Sequence, residues 1–156
     1  MDLGLIAVGK LRPYYRAAVD DYARRLTRYV TFREHEVREA ARAATIAAQR
    51  AEEAKRIGAR TADGASVVAL ARDGIGWSST ELARQLERWL LAARPVTLLI
   101  GGSQGLDASL LSRASARWSL GPLTLPHELA RVVVTEQLYR AFTILRGEPY
   151  HKGSRV

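Results

Sequence analysis

A chain of 156 residues with 47% hydrophobic side chains is the size of one domain and can bury a core without disulfides or metal. It contains no cysteine, which excludes a disulfide framework, a cysteine-ligated zinc site and a thiol nucleophile. The net charge of +8 attracts polyanions and makes nucleic acid a candidate partner, although an arginine-rich composition is also typical of a GC-rich genome.

The first third of the chain predicts strand, helix and strand. Residues 3–8 form an apolar run ending at Gly9, too short for a membrane span and without the basic segment of a signal peptide. We therefore expect a first strand in a cytoplasmic protein that has no membrane association. Apolar residues then recur at helical spacing over residues 15–26, after Pro13, and residues 31–37 predict a second strand.

The next region is alanine-rich and charged. Residues 38–57 predict a surface helix that ends at Gly58 and contributes little to the core, with the Glu52–Glu53 pair on a solvated face. Residues 66–71 are rich in β-branched side chains and predict a short strand that stops at a turn over residues 72–74.

A second helix and the strongest strand signal follow. Ser78 and Glu81 have the spacing of a capping box, and four apolar residues form the buried stripe of the helix that starts there: Leu82, Leu86, Trp89 and Leu90. Residues 95–100 are apolar almost throughout, as in a parallel strand covered on both faces, and run directly into a glycine-containing loop at residues 101–105.

The last third predicts a short helix capped by Asp107, a last strand at residues 118–120 and a long helix over residues 127–146 that ends before Gly147. Strands and helices that alternate in this way predict an α/β fold with an open, mainly parallel sheet and helices on both faces, in a single domain. Because ligands of such folds bind beyond the carboxyl ends of the strands, we expect a site at the loops after Leu70, Ile100 and Leu120.

Two loops are candidates for a ligand site. The loop at residues 101–105 matches neither phosphate-binding glycine fingerprint, so its glycines serve either close approach to a ligand or a simple turn. The loop at residues 120–126 contains three leucines, and two of them lie between Pro122 and Pro126. Apolar walls with free backbone groups suit an adenine ring, whereas the alternative is that the leucines only fill the core.

The sequence contains few other candidates for catalytic or metal-binding residues. We find no paired carboxylates at catalytic spacing, and His35, His127 and His151 are too scattered to predict a metal site. Basic and aromatic residues collect near the carboxyl end, a composition suited to phosphates and unpaired bases but also to a solvated terminus: Arg140, Arg146, Tyr150, His151, Lys152 and Arg155.

Several ordered segments resemble the large-subunit ribosomal RNA methyltransferase H family, most specifically between Leu98 and Lys152. They are Leu-Ile-Ala-Val-Gly-Lys at residues 5–10, Leu-Leu-Ile-Gly-Gly-Ser-Gln-Gly-Leu at 98–106, Trp-Ser-Leu at 118–120, Leu-Thr-Leu-Pro-His at 123–127, Arg-Val at 131–132, Glu-Gln-Leu-Tyr-Arg-Ala at 136–141 and Pro-Tyr-His-Lys at 149–152.

The resemblance implies a SPOUT fold with a C-terminal trefoil knot, the cofactor S-adenosyl-L-methionine (SAM), no metal, and a homodimer that methylates N3 of a pseudouridine in 23S rRNA of assembled ribosomes. Carried over by position, it implies eight cofactor-binding residues: Leu70, Gly101, Leu120, Gly121, Pro122, Leu123, Thr124 and Leu125. Residues 153–156 extend beyond the ending usual in the family.

The resemblance also suggests catalytic roles. We expect Arg140, Tyr150 and His151 to hold the target base and its phosphates, with His151 or Tyr150 as the proton acceptor, or water in their place. Two other functions stay open at this point: a non-catalytic RNA-binding factor with the same fold, and a nucleotide-dependent α/β enzyme that acts on a small molecule.

Overall fold

The computed structural model describes residues 1–152, which form one five-stranded sheet with helices on both of its faces. The strands have the order β2-β1-β4-β3-β5, and every pair of neighbours is parallel. The elements in chain order are β1 (Asp2–Val8), α1 (Pro13–Leu26), β2 (Thr31–Val37), α2 (Ile46–Gly58), β3 (Ser66–Ile75), α3 (Ser79–Ala92), β4 (Val96–Ile100), α4 (Ala108–Arg113), β5 (Ala116–Trp118) and α5 (His127–Leu145).

The central strand β4 is buried on both faces, as its apolar sequence predicts. Leu98 points to the face that α1, α3 and α5 cover, whereas its neighbour Leu99 points to the face covered by α2 and α4. The predicted α/β architecture is therefore confirmed. In the part of the chain that the structure describes, no helix is long and apolar enough to cross a membrane.

Local signals place several helix starts. The Ser78 hydroxyl accepts a hydrogen bond from the Glu81 backbone N–H at 3.2 Å, and the Glu81 carboxylate accepts one from the Ser78 backbone N–H at 2.7 Å. This reciprocal pair confirms the capping box at α3. The Asp107 carboxylate likewise caps α4 by accepting from the Ser109 N–H at 2.9 Å.

The alanine-rich region differs from the prediction. Helix α2 begins at Ile46, after its cap Thr45, and Ile57 in its last turn is fully buried. Glu53 is 2% exposed, so its placement on a solvated face was wrong. Its carboxylate accepts a hydrogen bond from the Ala40 N–H at 3.0 Å, because the loop before the helix folds over it and needs an acceptor.

Strand β3 is longer than predicted. It continues through residues 72–74 to Ile75, and Trp118 of β5 pairs with both Leu70 and Ile75 across an irregularity. A Cβ atom at Gly74 would lie 2.6 Å from the carbonyl carbon of Arg117, so glycine is needed there for close strand approach. Leu90, predicted in the buried stripe of α3, is 36% exposed.

Helix α5 packs on α1 and α3 and runs antiparallel to the strands. It starts beside Gly9, at the carboxyl end of β1, where a Cβ on that glycine would lie 3.8 Å from Nε2 of His127. Just beyond its other end, Glu148 accepts a hydrogen bond from Tyr29, which precedes β2. The helix thus runs from the carboxyl ends of the strands to their amino ends. The trefoil knot stays a prediction.

Candidate active site

A cleft lies at the carboxyl ends of β3, β4 and β5 and at the start of α5. Its inner part has a volume of about 170 Å³ and shares Leu70, Arg72 and Thr124 with a wider cavity of about 780 Å³. Together they fall in the range of pockets for small ligands and cofactors, roughly 300–1,000 Å³. This is the edge at which parallel α/β folds bind ligands.

The cleft brings together seven of the eight residues for which we predicted cofactor contacts, and these seven line its inner part: Leu70, Gly101, Leu120, Gly121, Leu123, Thr124 and Leu125. Pro122 does not line it and is exposed on the outer side of the loop. Leu123 is 77% exposed at the mouth of the cleft. The leucines of this loop therefore form walls and a rim around a cavity, and Leu120 also packs against the core.

The backbone of this loop has free hydrogen-bonding capacity. Within residues 1–152, the N–H groups of Leu123, Thr124 and Leu125 donate no hydrogen bond, and their carbonyl groups accept none. The start of the loop is held differently, because the Ser119 hydroxyl accepts from the Gly121 N–H at 3.2 Å. Free donors and acceptors beside apolar walls are what the edges of a nucleobase require.

The glycine loop serves a turn. A Cβ at Gly101 would lie 2.6 Å from the carbonyl carbon of Gly105, and Gly105 itself has a φ of +75°. The loop thus folds back on its own backbone, which only glycine at position 101 permits. Of the two roles that the sequence left open for these glycines, the contact at Gly101 supports the turn.

Several residues that line the inner cavity were not predicted as cofactor contacts, among them Trp118, His127 and Ala130. Trp118 ends β5, and the other two lie in the first turn of α5. The prediction treated Trp118 as part of a strand and Ala130 as part of a buried stripe, because neither position has a local signal. Their one available clue was that strand ends and the following loops meet at a single edge.

The three predicted catalytic residues form a second cluster, organised by Glu136. The Arg140 guanidinium donates to Oε1 of Glu136 from Nη2 at 2.6 Å and from Nε at 3.0 Å, and the Tyr150 hydroxyl donates to the same oxygen at 3.0 Å. The Arg140 guanidinium also lies 4.8 Å from the centre of the Tyr150 ring. Glu136 was part of the resemblance, but no role was predicted for it.

The cluster restricts the choice of proton acceptor. Nη1 of Arg140 lies 3.2 Å from Nδ1 of His151, and because a guanidinium can only donate, Nδ1 is the acceptor and Nε2 carries the proton. Burial, with hydrogen bonding to Tyr22 and the charge of Glu136, raises the pKa of Tyr150. Tyr150 therefore keeps its proton, and His151 has no lone pair free in this arrangement.

The cluster and the cleft are separate within one chain. Arg140 follows Ala130 by ten residues on α5, which corresponds to about 15 Å along the helix at 1.5 Å per residue. No lining residue of the inner cavity belongs to residues 131–152. A single described chain therefore does not bring Arg140, Tyr150 or His151 to the cleft.

A buried ion-pair network holds α5 against the sheet. The Arg131 side chain is 1% exposed, pairs with Glu36 and donates to the Gly9 carbonyl at 2.9 Å. Arg16 pairs with Glu36 from α1 at 2.8 Å. In residues 1–152 no three histidine, aspartate or glutamate side chains are grouped so that they could hold a metal ion.

Comparisons with known proteins agree with this fold. Residues 1–151 match the family model described as predicted SPOUT methyltransferase. Proteins named ribosomal RNA large subunit methyltransferase H are similar over 97% of this chain and 100% of their own length, with 47% identity over 153 residues in Anaeromyxobacter sp. (strain Fw109-5) and 43% over 155 residues in Pseudomonas paraeruginosa.

Among solved structures, the tRNA (m1G37) methyltransferase from Aquifex aeolicus superposes with a TM-score of 0.60 over 99% of this chain and 77% of that one, at 13% identity. This likeness concerns the fold. The chain belongs to the SPOUT methyltransferases and, within them, to the ribosomal RNA large subunit methyltransferase H family.

Proposed function

We propose that this chain transfers the methyl group of SAM to N3 of a pseudouridine in 23S rRNA, acting as a homodimer on assembled ribosomes in the cytoplasm. The observation that carries the proposal is the cleft, where apolar walls lie beside the unpaired backbone groups of residues 123–125. The names of the curated relatives support a ribosomal RNA substrate.

The cleft fits the cofactor chemically. Leu70, Leu120 and Leu125 offer apolar contact to the faces of an adenine ring, and the backbone groups of residues 123–125 offer partners for its edges. When bound, SAM supplies a methyl group on a positively charged sulfur. The turn closed by Gly101 and Gly105 keeps the chain after β4 compact, so that it forms one wall of the cleft without side chains.

The Arg140 cluster holds the base in its reactive form. Transfer of the SAM methyl group to N3 would require N3–H to lose its proton first. A guanidinium beside the base favours the anionic form, and the Nε2–H of His151 is free to donate to a carbonyl oxygen next to N3. Because Tyr150 and His151 are both protonated on their available atoms, we assign the proton to water.

A homodimer reconciles the cluster with the cleft. The cluster lies about 15 Å from the cleft along α5 within one chain, so we propose that the cluster of one copy meets the cleft of the other. Arg140→Ala removes the cluster, and Ala130→Leu fills the cleft. In a mixture of these two inactive variants, the mixed dimers would have one intact site, and activity would return to about one quarter of the wild-type value.

If the two variants exchange subunits but the mixture recovers no activity, the proposal that two chains share one active site is wrong. Light scattering that shows a monomer at the assay concentration would have the same consequence. The control is a mixture of Arg140→Ala with His151→Ala, since both lesions lie in the same cluster and no mixed dimer gains an intact one.

The reaction itself is tested on ribosomes from a strain that lacks this modification. The protein and SAM should methylate these ribosomes, and mass spectrometry of digested 23S rRNA should place the methyl group on N3 of a pseudouridine. Methylation of another nucleotide would contradict the proposed target. Binding to ribosomes without binding of SAM by calorimetry would identify a non-catalytic factor and contradict the activity.

A further inference from the structure

The connection between β1 and α1 carries an exposed aromatic pair. Tyr14 is 60% exposed, although it is one of the larger side chains, and its ring centre lies 4.7 Å from that of Tyr15, with the planes inclined at 55°. The Arg12 guanidinium lies 5.5 Å from the Tyr14 ring centre and 5.6 Å from that of Tyr15. Lys10 is exposed two residues earlier.

This group is held in place from α5. The Glu128 carboxylate accepts from the backbone N–H of Arg12 at 2.7 Å and from its Nε at 2.9 Å, and Nη2 lies 2.8 Å from the same carboxylate. Glu128 is itself buried. Pro13 in the first turn of α1 fixes the backbone between Arg12 and Tyr14. Few rotamers therefore need to be ordered when a ligand reaches this surface.

The same contacts place the group at the rim of the cleft. Glu128 follows His127, which lines both parts of the cleft. Gly9, at the start of the connection, also lies close to the His127 ring, since a Cβ on this glycine would be 3.8 Å from Nε2. A molecule that extends out of the cleft past His127 would thus meet Arg12 and Tyr14 next.

We propose that Tyr14 and Arg12 form a stacking platform for an unpaired base of the RNA substrate, next to the nucleotide that enters the cleft. The proposal rests on the proposed function, because it takes the substrate to be RNA. An exposed tyrosine ring stacks on a base of any sequence, and the fixed guanidinium beside it contacts the adjoining phosphate. The net charge of +8 adds long-range attraction for the same partner.

Binding to RNA alone tests the platform directly. We expect Tyr14→Ala to weaken binding of a fluorescein-labelled oligouridine, measured by anisotropy, by about tenfold, and Tyr14→Phe to bind as the wild type does. Arg12→Ala should lower the slope of log affinity against log salt by about one, whereas Tyr14→Ala should leave that slope unchanged. Ile46→Ala, which removes an exposed apolar side chain from α2, is the matched control.

Methylation of ribosomes separates this proposal from the proposed function. Tyr14→Ala should raise the KM for ribosomes about tenfold and leave kcat and SAM affinity unchanged. Wild-type affinity of Tyr14→Ala for oligouridine would overturn the platform even if the protein methylates rRNA. A loss confined to intact ribosomes, with oligouridine binding unchanged, would assign the surface to a ribosomal protein and also overturn it.

If the wild-type protein methylates no RNA while Tyr14→Ala still loses oligouridine binding, the proposed function fails and the platform stands.

Discussion

The two ends of α5 carry candidate sites of different kinds. At its start, the cleft offers apolar walls and unpaired backbone groups, and few charged side chains line it. Toward its end, the Arg140 cluster consists of side chains whose hydrogen bonds converge on one oxygen of Glu136. A backbone site can recognise a cofactor with little dependence on side-chain identity, whereas the cluster depends on each of its members.

Because of this difference, the two regions suit different chemical groups. The cleft suits a neutral, flat group such as adenine, and the cluster suits a base that becomes anionic. Because about 15 Å of helix separates them in one chain, substitutions in one region should leave the function of the other intact. Substitutions in the two regions test that independence.

Filling the cleft should abolish cofactor binding. Ala130→Leu adds bulk to a helical position that lines the inner cavity, and leucine is tolerated well in a helix. We expect SAM affinity by calorimetry to fall at least about 1,000-fold, or about 4 kcal/mol. Ala48→Leu, at an exposed position of α2, is the control and should bind SAM normally. Normal binding by Ala130→Leu would show that SAM binds elsewhere.

Removing the cation of the cluster should slow the reaction without affecting the cofactor. We expect Arg140→Ala to lower the single-turnover rate about 100-fold, since it removes the charge that stabilises the anionic base, and to keep SAM affinity. The rate should also rise with pH over a more alkaline range than in the wild type. If His151→Ala instead removes a step from the dependence of the rate on pH, His151 is the proton acceptor.

A single added methyl group in the turn at residues 101–105 should lower the stability of the fold. Gly101→Ala places a Cβ against the backbone of Gly105, and we expect a loss of about 2 kcal/mol in the free energy of unfolding, measured with urea. Gly58→Ala adds the same group to the end of α2, where nothing lies within 4 Å, and should change stability by less than about 1 kcal/mol. Equal effects would refute the close turn.

Substitution of Glu136, the shared hydrogen-bond acceptor of the cluster, should have a smaller effect on catalysis. Glu136→Gln keeps the shape of the side chain but removes the charge that holds Arg140 and Tyr150, and we expect kcat to fall about tenfold at unchanged SAM affinity. Because burial and the nearby carboxylate raise the pKa of Tyr150, the variant should titrate this phenol at lower pH by ultraviolet absorption. An unchanged titration would mean that Glu136 does not act on Tyr150.

Loss of an ion pair behind the cleft should have the smallest effect, a change in the free energy of unfolding that depends on pH in the acid range. Burial alone would raise the pKa of Glu36, but hydrogen bonds and the charges of Arg131 and Arg16 lower it below 4.5. The group therefore stabilises the fold above about pH 4.5, and this contribution is lost as pH falls through the lower folded-state pKa.

We accordingly expect Glu36→Gln to be less stable than the wild type at about pH 7, with a difference that shrinks toward about pH 3, in urea unfolding. Glu52→Gln, which lies in exposed pairs on α2, serves as the control. A difference that is constant with pH would rule out the ionised carboxylate as its cause.

The order and type of the helices and strands could be predicted from the sequence. Local features specify these: the capping box at Ser78, the apolar run of β4 and the helical spacing in α1 are properties of neighbouring residues. The loops after Leu70, Ile100 and Leu120 could also be predicted as one site, because the carboxyl ends of parallel strands lie at one edge. The individual cofactor-binding residues at that edge, and the three catalytic residues, were predicted only from the resemblance to the family.

Features that depend on contacts between residues distant in sequence could not be predicted in this way. Glu53 became buried because a loop folded over it, and Gly74 proved to serve strand approach because β5 packs against it. The same holds for the hydrogen bond that Glu136 accepts from Tyr150, which forms where the segment after α5 folds back on the helix. No local pattern encodes such a meeting, since it depends on where the whole chain brings each group.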